Sequence, residues 1–176
     1  MKSIFSFISI YFICLLDVVI FDFSIDNLNN WQIINDNVMG GISTSSMEVN
    51  ENKQGVFFGH VSTENNGGFA MVRLQTKIKN VMNHKEIILY VQGDGKDYQF
   101  RLKPDDKLRF SYIHTFKTTK EEQKIVLKIK DFYPSYRGKK LNIGNFNADK
   151  INEIAFLIGN KKDESFKLKI KKILIK

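Results

Sequence analysis

Apolar and polar residues alternate one by one along most of this chain. A period of two marks a strand with one buried face and one solvated face. The alternation predicts strands at Ser43–Val49, Val56–Val61, Phe69–Leu74, Glu86–Gln92, Tyr98–Leu102, Arg109–Phe116, Lys124–Ile129, Ile154–Ile158 and Phe166–Ile173, with Val18–Phe23 as a further strand at the start. Runs rich in Asn, Asp, Gly and Pro separate several of them, at 50–55, 93–96 and 103–106, and these residue types favour turns. Many short strands at this spacing predict an all-β sandwich or barrel. No window carries a helical period of useful length. One short helical turn is expected near Asn147–Asn152, with Asn147 or Asp149 as its cap. In the last strand Phe166, Leu168 and Ile170 alternate with Lys167, Lys169 and Lys171. That is a core face backed by a solvated face, and such lysines also protect a sheet edge from pairing.

Ahead of this body lies an apolar run, Ile4–Leu16, broken only by Ser6 and Ser9 and preceded by Lys2. One positive residue followed by a short apolar core predicts a secretory signal. The run is short for a membrane-spanning helix, which needs about 20 apolar residues. Asp17 interrupts it and Val18–Phe21 resumes it, so an uncleaved signal-anchor is the alternative. The expected division is residues 1–19 as signal peptide or signal-anchor and 20–176 as a single domain. The lone Lys at the front orients the N-terminus inward. The domain is therefore expected to be exported, or anchored outside the cytoplasm with membrane contact only through the uncleaved segment. A mitochondrial presequence would be rich in Arg, and this segment has none.

Two loops concentrate the chain's special backbone chemistry. The first runs from Trp31 through Asp36, Asn37, Met39, Gly40 and Gly41 to Ser43. The second runs from Glu64 through Asn65, Gly67, Gly68 and Phe69 to Arg73. Asn and Asp bond their own backbone in turns, and Gly takes positive φ without steric cost. Ordered loops on a rigid scaffold are common places for binding residues.

Charge changes the picture less than its size suggests. The net charge is +8 and the pI about 9.4. Yet only four of the 27 basic residues are Arg, namely Arg73, Arg101, Arg109 and Arg137. Base readers and phosphate clamps favour the Arg fork, so no nucleic-acid partner is expected. The single cysteine, Cys14, lies in the apolar run, leaving the domain without disulfide, thiolate nucleophile or cysteine zinc site. His60, His84 and His114 lack metal-ligand spacing, and no phosphate loop, dinucleotide fingerprint or hydrolase elbow is present. No catalytic residue, metal or cofactor is expected. Asp36 and Asp94, each in an Asx/Gly loop, are expected to hold turns.

Several ordered motifs resemble the complex I intermediate-associated protein 30 family. They are Trp31 with Asn35-Asp36-x-Val38-Met39-Gly40-Gly41-x-Ser43, then Val56-Phe57-Phe58-Gly59, then Glu64-Asn65-x-Gly67-Gly68-Phe69-x-x-Val72-Arg73. Gly93-Asp94-Gly95-x-x-Tyr98-x-Phe100 and Asp131-Phe132-x-Pro134-x-Tyr136-Arg137-Gly138 follow, and Ile154–Ile158 with Phe166, Leu168 and Ile170 close the series. The resemblance covers nearly everything from Phe23 to Ile175. It implies a galactose-binding-like jelly-roll β-sandwich. It also implies a non-enzymatic assembly factor or chaperone for respiratory complex I (NADH:ubiquinone oxidoreductase), binding a protein partner such as respiratory-chain or unfolded subunits. The family's founding members act in mitochondria, whereas the N-terminus here argues against that location. Asn37 stands where the family frequently has Gly.

From these residues the two loops are expected to meet on one face. Asp36 and Asn65 would cap backbone N–H groups, while Trp31, Met39 and Phe69 supply apolar contact. Arg73 and Arg137 would pair with Asp36 or Asp94. The alternative function is a carbohydrate-binding module using Trp31, Tyr98 or Tyr136 as an aromatic platform. An enzyme is the third class and is disfavoured.

Overall fold

The computed structural model describes residues 17–176. The expected signal segment therefore lies outside the described residues except at Asp17–Val19. Strand β1 (Val18–Asp22) opens the domain, followed by β2 (Trp31–Asn35), β3 (Thr44–Val49), β4 (Gly55–Val61), β5 (Ala70–Lys79) and β6 (Glu86–Gln92). Then come β7 (Asp97–Lys103), β8 (Ser111–Lys117), β9 (Glu122–Lys128), β10 (Tyr133–Tyr136), β11 (Lys139–Lys140), β12 (Lys150–Ile158) and β13 (Glu164–Ile175). The expected domain boundary at residue 20 falls inside β1, whose Val18 already pairs with Ile175.

Two antiparallel sheets face each other. The first has the order β3-β4-β13-β6-β9, with β1 also paired to β13. The second has the order β11-β10-β8-β7-β12-β5-β2. This is the jelly-roll sandwich that the family resemblance implies, and it falls within the all-β sandwich or barrel that the alternation predicts. Its core is unusually aromatic. Phe57, Phe100, Phe132 and Phe156 are fully buried, and the Phe100 ring meets Phe156 edge-on with centroids 5.0 Å apart. Edge-to-face contacts of this kind add to the free energy of burying the rings.

The structure corrects the sequence reading in three places. Trp31–Asn35, expected as loop, is strand β2, on the edge of the second sheet beside β5. No helical turn forms at Asn147–Asn152. Strand β12 starts at Lys150, because Ile151 and Ile154 bury themselves in the core by pairing with Ile78 and Leu74 of β5. Strand β13 is not an edge. It lies between β4 and β6, and its lysines line the outer face of the first sheet.

Candidate functional site

Asp36 ties the two glycine loops together. It is fully buried, at the start of the 3-10 turn Asp36–Met39. Its Oδ2 accepts the backbone N–H of Gly68 at 2.7 Å and of Phe69 at 3.2 Å. The Ser43 hydroxyl donates to the same oxygen at 2.5 Å, and the Ser43 backbone N–H donates to Oδ1 at 3.0 Å. Burial alone would raise the pKa of this carboxyl. The donations from Ser43, Gly68 and Phe69 outweigh it and hold the group below its ordinary value.

The glycines follow from this geometry. A Cβ on Gly41 would sit 2.4 Å from the Asp36 carboxyl and 2.8 Å from the Gly67 Cα. A Cβ on Gly67 would sit 2.7 Å from Asp36 Oδ2 and from the Ser62 carbonyl. So one glycine of each pair makes room for the carboxylate. The other supplies left-handed backbone, φ +91° at Gly40 and +128° at Gly68. Asn65 also takes positive φ, at 53°.

The joined loops form one wall of a cleft of about 380 Å³ on the outer face of the second sheet. Sheet register builds its floor. Leu157 of β12 lies between Met71 of β5 and Gln99 of β7. One step along, Ala155 lies between Arg73 and Arg101. Ala155 and Leu157 are buried although they point away from the core, because the longer neighbouring side chains cover them. Met39 and Phe69 contribute from the loop wall, and Phe110 and Tyr136 from the far side.

The electrostatics of the cleft are one-sided. Arg101, Arg109, Arg137 and Lys161 line it, and no Asp or Glu does. The Arg101 Nε donates to Gln99 at 3.2 Å; among the described residues its guanidinium makes no ion pair. Burial pushes its pKa down to about 10, with Glu153 and Tyr133 opposing, so it stays cationic at neutral pH. Arg73, just outside, is committed. Its Nε and Nη2 donate to Gln32 at 3.1 and 3.0 Å, and its Nη1 pairs with Glu153 at 3.4 Å.

The other sequence candidates fall into two groups. Met39, Gly67, Gly68, Phe69 and Arg137 line the cleft, whereas Gly40 and Gly41 do not. Asn37 is exposed, and its amide donates to the Gly41 carbonyl at 3.2 Å. Trp31, Asp94 and Tyr98 are elsewhere. Trp31 is half-buried, stacked on Phe23 at 5.7 Å and Phe156 at 6.3 Å, so it presents no open platform. Tyr98 is fully buried and donates its hydroxyl to Asp94 at 3.1 Å; burial and Asp94 raise its pKa. Asp94 also accepts from Lys96 and from the Lys167 backbone N–H.

The expected Arg–Asp pairs do not form. Asp36 is saturated by backbone and hydroxyl donors, Arg73 turns to Gln32 and Glu153, and the Arg137 guanidinium lies 5.5 Å over the Tyr136 ring. Sequence reasoning missed Met71, Gln99, Arg101, Arg109 and Leu157. The rarity of Arg in a lysine-rich chain was the available signal.

The sequence profile of a family described as Complex I intermediate-associated protein 30 (CIA30) matches residues 21–170. No curated protein matches the sequence. Among solved structures, the fold is similar to a family 11 carbohydrate-binding module from Clostridium thermocellum in complex with a β-1,3-1,4-mixed-linked tetrasaccharide. The TM-score is 0.67 at 12% identity, covering 90% of this chain and 94% of that one. A family 29 carbohydrate-binding module gives 0.54 at 9% identity over 92% and 91% of the two chains. An agarase gives 0.60 at 10% identity over 91% of this chain but 24% of its own. At such identities the likeness is one of fold.

Proposed function

Since the chain belongs to the Complex I intermediate-associated protein 30 family, we propose that it is a non-catalytic domain that binds a protein partner in the cleft of its second sheet, as an assembly factor for a respiratory complex would. The observation that carries this reading is the make-up of the cleft. Met39, Met71, Phe69 and Phe110 line it, and Met39 is 47% exposed. Methionine and aromatic side chains are enriched where one protein adapts to another. The partner chemistry comes from the family name, and the cleft supplies a surface suited to it.

A second reading rests on the fold, which is shared with carbohydrate-binding modules. Two of the three aromatic platforms considered for it are packed internally, Trp31 against phenylalanines and Tyr98 in the core. The third, Tyr136, is half-buried and has Arg137 over one face. That leaves little flat ring for a pyranose.

Affinity capture from gently solubilised membranes, read by mass spectrometry, tests the choice. We expect wild-type protein to recover respiratory-chain subunits and Met39→Asp to lose them. Recovery of no subunit, together with calorimetric binding of a mixed-linkage glucan that Tyr136→Ala abolishes, would replace the first reading with the second.

A further inference from the structure

The chain has 27 basic residues, of which only four are Arg, and three of those four line one cleft. It has 19 Asp and Glu, and none lines that cleft. A general drift toward lysine does not produce this arrangement. The fourth Arg, Arg73, is used up by Gln32 and Glu153. Arg101, by contrast, is half-buried with no carboxylate partner among the described residues. A planar guanidinium fork matches a carboxylate in two parallel hydrogen bonds, and it is the basic group of choice where water is partly excluded.

We propose that the cleft takes an acidic, amphipathic stretch of polypeptide, whose Asp or Glu carboxylates are bound by Arg101, Arg109 and Arg137 while its apolar side chains lie on Met39 and Met71. This rests on the protein-binding reading and names the chemistry of the partner. The thioether floor favours a peptide over a polyanionic glycan, because a glycan offers no apolar side chain to cover it. The acid-free lining also rejects basic segments, by leaving their charges without a counter-ion.

The test is fluorescence anisotropy on the purified chain with two short labelled peptides. One alternates Glu with Leu and Ala, and the other carries Gln for every Glu. The Glu peptide is expected to bind at least about tenfold more tightly, and more weakly as salt rises. Arg101→Gln should abolish the preference. Because Arg101 is half-buried, the double variant R109Q/R137Q, at two exposed positions, is the safer probe and should weaken binding about tenfold. The control K167Q/K171Q removes two charges from the other sheet and should change binding less than twofold.

Equal affinity for both peptides, or equal loss in the control, overturns the proposal. So does tighter Arg-dependent binding of dextran sulfate or inorganic phosphate. Subunit capture that survives R109Q/R137Q would keep the protein-binding reading and sink the acidic one. Glu-selective binding without any subunit capture would keep the acidic-peptide site and sink the respiratory-chain identity of its partner.

Discussion

The Asp36 carboxylate accepts the Gly68 backbone N–H at 2.7 Å. That contact joins the loop leading to β3, in the first sheet, with the loop leading to β5, in the second. Among the described residues, the buried carboxylate has no cationic partner. Its charge is balanced by N–H and O–H dipoles, whose positions depend on both loops at once. The loop wall of the cleft is therefore as well ordered as this one residue allows.

Asp36→Asn is expected to lower stability by about 2–3 kcal/mol. Both carboxylate oxygens accept N–H groups, so either orientation of the amide turns an NH2 toward a donor. Urea denaturation reads the loss. Hydrogen exchange should show the Gly68 and Phe69 amides losing protection first.

The two kinds of glycine separate by substitution. Gly41→Ala forces a methyl against the Asp36 carboxyl and the Gly67 backbone, with an expected cost of about 2–4 kcal/mol. Gly144→Ala meets nothing within 4 Å and needs no positive φ, so it should be near neutral. Thermal melts of the two variants side by side check this.

Acid should destabilise the domain over a defined range. Burial tends to raise the pKa of Asp22, but hydrogen bonds from Ser24 and the charge of Lys172 bring it down to about 2 from an ordinary 3.8. A depressed carboxylate contributes its full stability above the unfolded value. That contribution is lost as pH falls from 3.8 toward the folded value. Asp36 acts in the same direction. Urea midpoints followed from neutral pH to pH 2 should fall through this window, and Asp22→Asn should flatten the fall.

Trp31 is the only tryptophan, which makes its environment directly readable. Its emission should be blue-shifted from that of free tryptophan, and added oligosaccharide should leave it unchanged. Its Nε1 is buried and has no hydrogen-bond partner among the described residues. Trp31→Phe removes that unsatisfied donor, so its net cost should stay within about 2 kcal/mol despite the lost ring volume.

How far the sequence was legible depends on the range of the interactions involved. Strand β6 occupies Glu86–Gln92 as expected, because Ile87, Leu89 and Val91 form a continuous core face, with Ile88 buried on the other side. Strand β2 escaped notice, because its Gln32, Ile33, Ile34 and Asn35 do not alternate and its edge position demands little burial. Asp36 and the glycine pairs were visible as turn chemistry. The meeting of the two loops and a capping role for Asp36 were expected from the residues, but that this carboxylate caps N–H groups of the other loop, at Gly68 and Phe69, was not. The cleft floor was least legible. Met71, Gln99 and Leu157 come from three strands, and only sheet register makes them neighbours.

Strands β12 and β13 follow one another in the chain, yet each lies in the interior of a different sheet. Neither layer can close until residues 150–175 have left the ribosome. Before that, the strands made earlier are expected to expose aromatic surface with nothing to seal it, so closure of the sandwich is expected to come late in folding. A premature stop in this stretch would yield a chain destined for proteolysis rather than a smaller working domain.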